Sequence, residues 1–597
     1  MSVEPMQGSP PVAKPRRSGQ PAAAEAPGPA LRLNDRWAVF LALAAAAVGV
    51  RVLGMGAVPL EASEAGEALA AWAFVRGEAG VPLGASPLLF TANVLAFGLA
   101  AASDVTARWL PWLSGALLTA VPFLLWRRLK LGGAFWAGLM LAFSATALYF
   151  GRHLNGDALG ATLATLAWAA ALADGGEGRG RRLWLTAAAL ALALTAGSAA
   201  YTVLLAVGSW AALERLLGPR LTGEAGLGRW WAALREQPAR TRQALGLGGL
   251  VFLLAATAFT LRWVGLGLTA DLLAGWFTRF FQPGSYPLGW LPWLLLLQEP
   301  LIVLTGLAGL ALAVRRRDRF GLGLGWWAGL ALLATLLSAG RHPADLLTVL
   351  APLALLGGQA LHALVDRLRA QGQAAVEGMY LALGAVLLIY GYIELSAYAR
   401  LADTRYLLFS GMAVVLCLGL TVLWWAWHGL ARALRGLALL ALLGASLASL
   451  SAAGNLNFQH EVNRLQGMVA EETTPGMRDL VAWLQRLSAQ RHTDPKELSL
   501  LVVGYDRPLL RWYTREFRHV RWTPGLAEPP AETAVLAPVQ RELPLGDTFT
   551  GQDFEILRRG LPTGWQGWAS TRWLLYRKPP AMQLEKELLV LWVKQTP

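Results

Sequence analysis

The chain of 597 residues alternates long apolar runs with short connections that carry many of its lysines and arginines. The runs are about 18–22 residues long, the length that a helix needs to cross roughly 30 Å of hydrocarbon. Hydrophobic residues make up 55% of the chain and charged residues 15%, against about 25% charged residues in ordinary globular domains. The pattern predicts a polytopic α-helical membrane protein, located in the plasma membrane.

The basic connections predict the topology. Lysines and arginines precede the first apolar run, residues 37–53, and this places the N-terminus in the cytoplasm. Alternation from there gives about thirteen crossings between residues 35 and 453 and leaves the C-terminus outside. The short run 87–102 is expected to lie in the interface or to re-enter, whereas 108–126 crosses. Residues 1–34, rich in Pro, Ala and Gly, are expected to form a disordered cytoplasmic tail.

The net charge of +14 follows from these connections, so nucleic acid is not an expected partner and membrane lipids are. The composition changes after residue 453. Residues 454–597 are expected to form a small extracytoplasmic α/β domain. Helical periodicity occurs in "GMRDLVAWLQRLSAQ", and short strands are predicted at "LSLLVVGY", "ETAVLAPV" and "RWLLYRK".

Acidic residues crowd the first predicted external loop. As a helix, the stretch Pro59–Gly77 places Glu61, Glu64 and Glu67 on one side and apolar residues on another, which is typical of a segment lying along the membrane surface. One interpretation is a solvated acidic face. The other is a carboxylate held above a lipid-facing pocket, able to act as a general base.

Two further polar clusters lie at predicted outer helix ends. Arg152 precedes an apolar run and needs an anionic partner, either Asp157 or a lipid phosphate. Arg341 and His342 end one span, and Pro343 starts the next helix. Simple turn clamping and interface anchoring remain alternatives. Glu299, before Pro300, is another candidate and would equally cap its helix. Ionisable groups at such positions are costly and usually mark function.

The order of these segments resembles that of the GT-C membrane glycosyltransferases. This family includes the protein O-mannosyltransferases, the aminoarabinose transferases of lipid A, and a bacterial and archaeal branch linked to flippase activity. The resemblance is carried in order by "EASEAGEA", "ASPLLF", "TARWLPWLSG" and "YFGRHLNGDAL". Later stretches that are similar to the family are "GRHPADLLTVLAPLALLGG" and "YDRPLLRWYTREFRHVRW".

The resemblance implies a sugar donor on a polyprenyl phosphate and an inverting transfer to an acceptor that is a protein, a lipid or a glycan. Arg152 and Arg341, with His342, would meet the phosphate. Glu64, or Glu61 as the second choice, would deprotonate the acceptor hydroxyl. Asp157 would orient the site or hold Arg152. Fixed cations beside a leaving phosphate stabilise the charge that develops there.

Two positions depart from the family pattern. Ser63 stands where many members have an aspartate, and Ala85-Ser86 precedes Pro87 where they have His-Pro. These departures keep open a non-catalytic relative, or a transporter or flippase-associated protein for lipid-linked sugars. A sensor is disfavoured because the sequence shows no cytoplasmic output domain. A divalent metal would suit the chemistry, but no ligand cluster stands out, so no metal ligand is assigned.

Overall fold

The computed structural model describes most of the chain outside the predicted N-terminal tail. Described are residues 33–78, 84–173, 182–217, 221–222, 227–284, 286–371, 374–458, 467–469, 471–545, 548–560, 568–576 and 585–595. The predicted disordered tail therefore lies outside the described residues, apart from its last two positions.

Helices make up the membrane part. Their bounds are α1 (Leu33–Val52), α2 (Ala62–Val75), α3 (Pro87–Leu99), α4 (Asp104–Ala107), α5 (Trp109–Leu124), α6 (Trp126–Phe143), α7 (Ala145–Phe150), α8 (Gly156–Ala173), α9 (Leu183–Ala196), α10 (Ala199–Leu217), α11 (Leu227–Glu236), α12 (Pro238–Ala256), α13 (Val264–Thr278), α14 (Trp290–Gln298), α15 (Pro300–Arg316), α16 (Arg319–Leu337), α17 (Leu346–Gln371), α18 (Ala374–Leu401), α19 (Thr404–His428) and α20 (Leu430–Phe458).

Long apolar helices confirm the polytopic membrane architecture. Within the described chain, eight helices are long and apolar enough to cross a membrane, or nine if the bent pair α14–α15 forms one span. Four shorter apolar helices are α3, α5, α9 and α13. The expected interfacial run at 87–102 corresponds to α3, which has only 13 residues. The total of about thirteen crossings remains a prediction, because it counts such short helices as spans.

The bend between α14 and α15 is 97°. Pro300 starts α15 and cannot continue the hydrogen bonding of α14, so the helix breaks before it. Glu299 at the break is buried and accepts hydrogen bonds from Ser144 Oγ at 2.6 Å and Thr146 N at 2.8 Å. The broken span therefore holds the start of α7, which leads into the Arg152–Asp157 loop.

The C-terminal domain is a six-stranded mixed sheet with helices. Its strands lie in the order β1-β5-β6-β4-β2-β3. β2 pairs in parallel with β3 and β4, and the other pairs are antiparallel. The elements are β1 (Glu471–Thr473), α21 (Gly476–His492), β2 (Ser499–Val503), α22 (Pro508–Thr514), β3 (His519–Thr523), β4 (Ala534–Pro538), β5 (Phe549–Arg559), α23 (Trp568–Tyr576) and β6 (Glu585–Lys594).

The helix α21 and the strands β2 and β4 are confirmed, but the strand predicted at "RWLLYRK" is wrong. That stretch belongs to helix α23 as far as Tyr576. A helix places Trp573 and Tyr576 on one face. Trp573 is buried, and Tyr576 donates to the carbonyl of Ser396 in α18 at 3.3 Å. Packing against a membrane helix thus overrides the local strand pattern.

The C-terminal domain docks on the loop between α3 and α5. Asp104 accepts hydrogen bonds from Trp512 Nε1 at 2.9 Å, Tyr513 Oη at 2.8 Å and Arg478 Nη2 at 2.6 Å. The Tyr513 hydroxyl also accepts from Leu60 N at 2.7 Å, just before α2. We call this end of the helix bundle, which carries α2, α4 and the C-terminal domain, the domain face. One aspartate therefore joins the two parts of the protein.

Replacing Asp104 by alanine should loosen this docking. Three donors would lose a charged acceptor that is mostly buried, so we expect a loss of about 2–4 kcal/mol in unfolding free energy. Thermal unfolding in detergent and the rate of tryptic release of the C-terminal domain would measure it. Asp553→Ala, at an exposed position of β5, is the control. Equal behaviour of the two variants would contradict the docking role.

Candidate functional site

Glu64 lies at the centre of the domain face and is only 1% exposed. Its Oε1 accepts hydrogen bonds from Arg108 Nε at 3.0 Å and Leu154 N at 2.7 Å. Its Oε2 accepts from Glu61 N at 2.9 Å and forms an ion pair with Arg108 Nη2. Burial alone would raise the pKa of Glu64, but the charge of Arg108 and these hydrogen bonds outweigh it and lower the pKa.

Arg108 extends this contact to a third segment. Its guanidinium donates to the carbonyls of Met55 at 3.3 Å, Val58 at 3.0 Å and Pro59 at 3.1 Å. The planar fork of donors suits such a divided set of acceptors. The predicted solvated acidic face is therefore wrong at Glu64, which points inward and ties α2 to the start of α5 and to the loop before α8.

Glu61 belongs to a separate group. Its Oε1 accepts a hydrogen bond from the Tyr149 hydroxyl at 2.6 Å and lies 3.6 Å from His153 Nε2. The His153 ring stacks on Tyr149 with centroids 4.0 Å apart, and its Nδ1 lies 2.8 Å from the Tyr149 carbonyl. The carboxylate of Glu61 thus faces the loop that follows α7, next to Arg152.

Asp157 belongs to a partly buried network of opposite charges. Its Oδ1 accepts from Ser198 Oγ at 2.8 Å, and Arg279 Nη1 donates to the same Ser198 hydroxyl at 3.3 Å. Arg279 also pairs with Asp345, whose Oδ2 accepts from His342 N at 2.9 Å. The starts of α8, α10 and α17 and the end of α13 therefore meet at one cluster. Asp157 therefore contacts Ser198, and not Arg152 as the sequence suggested.

Glycines allow the helix ends to approach this closely. A Cβ on Gly197 would lie 2.3 Å from the carbonyl of Gly156, a distance that real side chains do not adopt. Ser86, just before α3, donates from its hydroxyl to the carbonyl of Ala196 at 2.6 Å. The segment 84–86, which leads into α3, therefore lies directly against the start of α8.

Arg152 and Arg341 flank this region. Arg152 is buried, donates to the carbonyl of Val50 at 3.2 Å and lies 4.8 Å above the ring of Phe458. Arg341 donates to the carbonyl of Tyr286 at 2.7 Å, and its buried Nε has no hydrogen-bond partner in the described chain. The ring centroid of His342, the next residue, lies 6.2 Å from that of Phe150. Arg152 and His342 thus both lie near the end of α7, and a single site shared with Arg341 stays a prediction.

Glu67 points into a different part of the same face. Its Oε1 accepts from Ser86 N at 3.2 Å, whereas Oε2 is buried without a hydrogen-bond partner in the described chain. Burial raises the pKa of Glu67 to about 7, although the backbone N–H groups of Ala85 and Ser86 oppose the rise. Glu67 and Ser63 border a cavity of about 880 Å³ between α2 and the C-terminal domain.

Sequence reasoning missed Arg108, Arg279, Asp345 and Tyr149 as parts of the site. Arg108 and Asp345 stand within the stretches "TARWLPWLSG" and "GRHPADLL" that carry the family resemblance. A buried carboxylate requires a cation, and this rule could have directed a search for arginine partners of Glu64 and Asp345. Within the described ranges, no group of three or more His, Cys, Asp and Glu residues is suited to hold a metal ion.

The comparison with solved structures concerns the fold. The chain matches the crystal structure of ArnT from Cupriavidus metallidurans bound to undecaprenyl phosphate, with a TM-score of 0.52 at 17% identity. The match covers 94% of this chain and 98% of that one. The chain has the ArnT fold. The predicted GT-C architecture is thereby confirmed, including the C-terminal domain with its sheet.

The apo structure of the same ArnT matches with a TM-score of 0.49 at 17% identity, over 93% of this chain and 97% of that one. No protein-family model matches the sequence, and no curated protein matches it. Because the likeness to ArnT concerns the fold, the activity has to be argued from the site.

Removing the partner of Glu64 should be severely destabilising. Arg108→Met leaves a buried carboxylate without its cation, and we expect a loss of about 3–5 kcal/mol in unfolding free energy. The double variant Arg108→Met with Glu64→Leu should recover much of this loss, since no buried charge remains. Thermal unfolding of the purified variants would test both. A double variant that is less stable than Arg108→Met would contradict the ion-pair account.

The raised pKa of Glu67 predicts a stability that falls with pH. The ordinary pKa is 4.5, and the folded value is about 7. Between these values the folded state keeps a proton that the unfolded state releases, so the stability that this proton confers is fully present below about pH 4.5, is still largely present at pH 5, and is lost as the pH rises through 7. It should fall by at most about 2–3 kcal/mol up to pH 8. Glu67→Gln should flatten the pH dependence of the unfolding temperature, whereas Glu78→Gln, at an exposed position, should leave it unchanged.

Proposed function

We propose that this protein is a membrane glycosyltransferase that takes its sugar from a polyprenyl-phosphate carrier at the domain face. The main support for this proposal is that the chain has the fold of ArnT, and that a solved ArnT structure contains bound undecaprenyl phosphate. The buried cationic and acidic groups at the domain face are consistent with it. A lipid-linked donor supplies the sugar outside the cell without the need for a nucleotide sugar there. The domain face would then be the extracytoplasmic one.

In this proposal, the side chains that bind the phosphate of the carrier are those of Arg152, Arg341 and His342. The unsatisfied Nε of Arg341 is held in place by the carbonyl that its Nη1 contacts, so the donor is already oriented before substrate binds. Guanidinium groups bind phosphate oxygens through paired donors. Positive charge fixed beside the leaving phosphate would stabilise the transition state more than the ground state.

Asp157 would orient Arg279, a cation of the proposed site. It shares Ser198 with Arg279, and Arg279 is held on its other side by Asp345. Two carboxylates therefore fix one guanidinium and hold the loop that carries His342. We assign Asp157 a positioning role and add Arg279 and Asp345 to the candidate residues.

Glu64 was the first choice for the general base, and its surroundings suit a different role. Both oxygens are occupied by donors and its pKa is lowered, so it holds a proton poorly. We propose that Glu64 positions α2 against Arg108. Glu61 accepts a hydrogen bond from the Tyr149 hydroxyl, lies 3.6 Å from His153 Nε2, and remains the second choice.

A non-catalytic relative that binds lipid-linked sugars is the second candidate. It is favoured by Ser63, an exposed serine at the position where many family members carry an aspartate. In that case the arginines would still bind the carrier phosphate, but no transfer would follow. The two candidates differ in turnover and agree in donor binding.

Purified protein offered a panel of polyprenyl-phosphate sugars would separate these candidates. We expect sugar transfer or donor hydrolysis by the wild type. In Arg152→Ala and Arg341→Ala the rate should fall roughly 10²–10³-fold, because the negative charge that develops on the leaving phosphate loses the guanidinium donors that stabilise it. Arg518→Ala, with a side chain 60% exposed in the C-terminal domain, is the matched control.

Saturable donor binding without turnover, lost in the two arginine variants, would favour the non-catalytic relative. Neither binding nor turnover with any donor would contradict both candidates.

A further inference from the structure

Three helices that support the domain face meet again at the opposite end of the bundle. Helix α6 ends just before α7, α15 begins beside the buried Glu299, and α17 begins next to Asp345. The start of α6 and the ends of α15 and α17 therefore lie at the other end, which is cytoplasmic in the orientation proposed above. A cavity of about 480 Å³ lies between these helix ends.

Basic side chains from each of the three helices border this cavity. Arg128 and Lys130 come from α6, Arg316 from α15 and Arg367 from α17. Lys130, Arg316 and Arg367 are exposed, and they form no ion pair and no side-chain hydrogen bond with any described residue. Cations from distant parts of the chain therefore border one cavity with their charged groups available.

The carboxylates that border the cavity have partners of their own. Asp318 Oδ2 accepts a hydrogen bond from Gly321 N at 2.9 Å and caps the start of α16. Asp366 Oδ2 lies 3.3 Å from His362 Nε2, one turn away on α17. The basic side chains also outnumber these two carboxylates, so the described lining has a net positive charge.

The backbone of α6 and α17 determines where the cavity lies. Lys130 has a φ of 58°, which residues with a Cβ seldom adopt, and α6 is kinked there. A Cβ on Gly132 would lie 2.7 Å from His362 Nδ1, so glycine leaves room for this ring. One turn deeper, a Cβ on Gly358 would lie 2.3 Å from the carbonyl of Gly133. The two helices thus meet closely on the membrane side of the cavity, and a backbone conformation as costly as that of Lys130 is typical of binding sites.

Apolar residues line the membrane side of the same cavity. Leu312 and Ala313 lie about one turn before Arg316 in α15, and Ala363 lies one turn before Arg367 in α17. The cavity is therefore at the level where the apolar part of each helix ends, which is the level of lipid head groups. A phospholipid can contact both kinds of lining, whereas inorganic phosphate can contact only the charged one.

Basic residues at this end also follow from the charge bias that sets membrane topology. Arg315, Arg317 and Arg369 fit that explanation, since they are exposed and are not among the residues that border the cavity. Topology requires only that basic residues lie on this side of the membrane. It does not require basic residues from three helices to surround one cavity, so Lys130, Arg316 and Arg367 need a further explanation.

We infer that this cavity binds the phosphate of an anionic phospholipid from the leaflet opposite the domain face. Arg316 and Arg367 donate to the phosphate oxygens, and Lys130 adds a compact positive charge. Basic pockets between transmembrane helices on the cytoplasmic side bind anionic head groups. Helix α15 has 17 residues, or a length of roughly 25 Å, between Glu299 and this end. The site is therefore distinct from the region proposed for the carrier phosphate, and the inference does not depend on sugar transfer.

Phosphatidylglycerol is the probe for this site. It would be added to the purified protein in a neutral detergent, with bound lipid counted by native mass spectrometry and thermal unfolding followed in parallel. We expect saturable binding that raises the unfolding temperature and weakens as salt is added. Arg316→Gln combined with Arg367→Gln should weaken binding roughly 10–30-fold, because each cation near an anionic head group contributes about fivefold.

Arg315→Gln combined with Arg369→Gln is the matched control, because it removes the same charge from exposed positions at the ends of the same two helices. Its affinity should stay within roughly threefold of wild type, since solvent screens charges that do not contact the head group. Equal affinity of the two double variants would overturn the inference, whether both are weakened or neither is. Wild-type protein without saturable lipid binding would also overturn it.

Two further probes identify the source of the phosphate. Phosphatidylcholine, which has no net charge, should bind roughly tenfold more weakly, and an excess of inorganic phosphate should not displace phosphatidylglycerol. Inorganic phosphate that displaces the lipid, and that binds more weakly to the Arg316→Gln, Arg367→Gln variant, would indicate a soluble ligand and overturn the lipid assignment. Arg341→Ala, at the domain face, should keep the wild-type affinity. Loss of binding in that variant would place the lipid at the carrier region and overturn the inference.

Discussion

The buried ion pair between Glu64 and Arg108 holds the domain face together. Removing two charges from water costs several kcal/mol for each ion, and only good geometry with further hydrogen bonds offsets that cost. Here Arg108 adds three backbone carbonyls and Glu64 adds two backbone N–H groups. The segment before α2, helix α2 itself, the start of α5 and the loop before α8 are fixed by one pair. The directions of Glu61 and Glu67 follow from that placement.

The other features of the face depend on helix ends that meet without side chains between them. Gly156 and Gly197 bring α8 and α9 into backbone contact, and Gly84 leaves room for the carboxylate of Glu67. Charges then gather at the ends of helices, where Asp157, Arg279 and Asp345 alternate in sign. Small residues and paired charges together make a polar region at the edge of an otherwise apolar bundle.

Hydrophobic periodicity was sufficient to predict the class of fold, the long helices, α21 and two strands of the sheet. Sidedness led to the prediction that Glu64, Arg152, Asp157 and Arg341 share one site, and that grouping stays a prediction. The partners could not be predicted, because Glu64 and Arg108 are 44 positions apart and nothing local selects one arginine among many. The strand predicted at residues 572–578 failed for a related reason: Trp573 and Tyr576 contribute to packing against α18, which lies far away in the sequence.

The docking of the C-terminal domain has a consequence for the order of synthesis. Asp104 and its partner Trp512 are 408 residues apart. At about 5–20 residues per second, the ribosome needs roughly 20–80 s to make the partner after the loop has emerged. During that time the loop already carries a charged side chain that has none of its final hydrogen bonds. Nascent chains should therefore complete the connection between α3 and α5 only after α22 has been made, and premature termination before α22 would leave a membrane bundle with an unfinished surface.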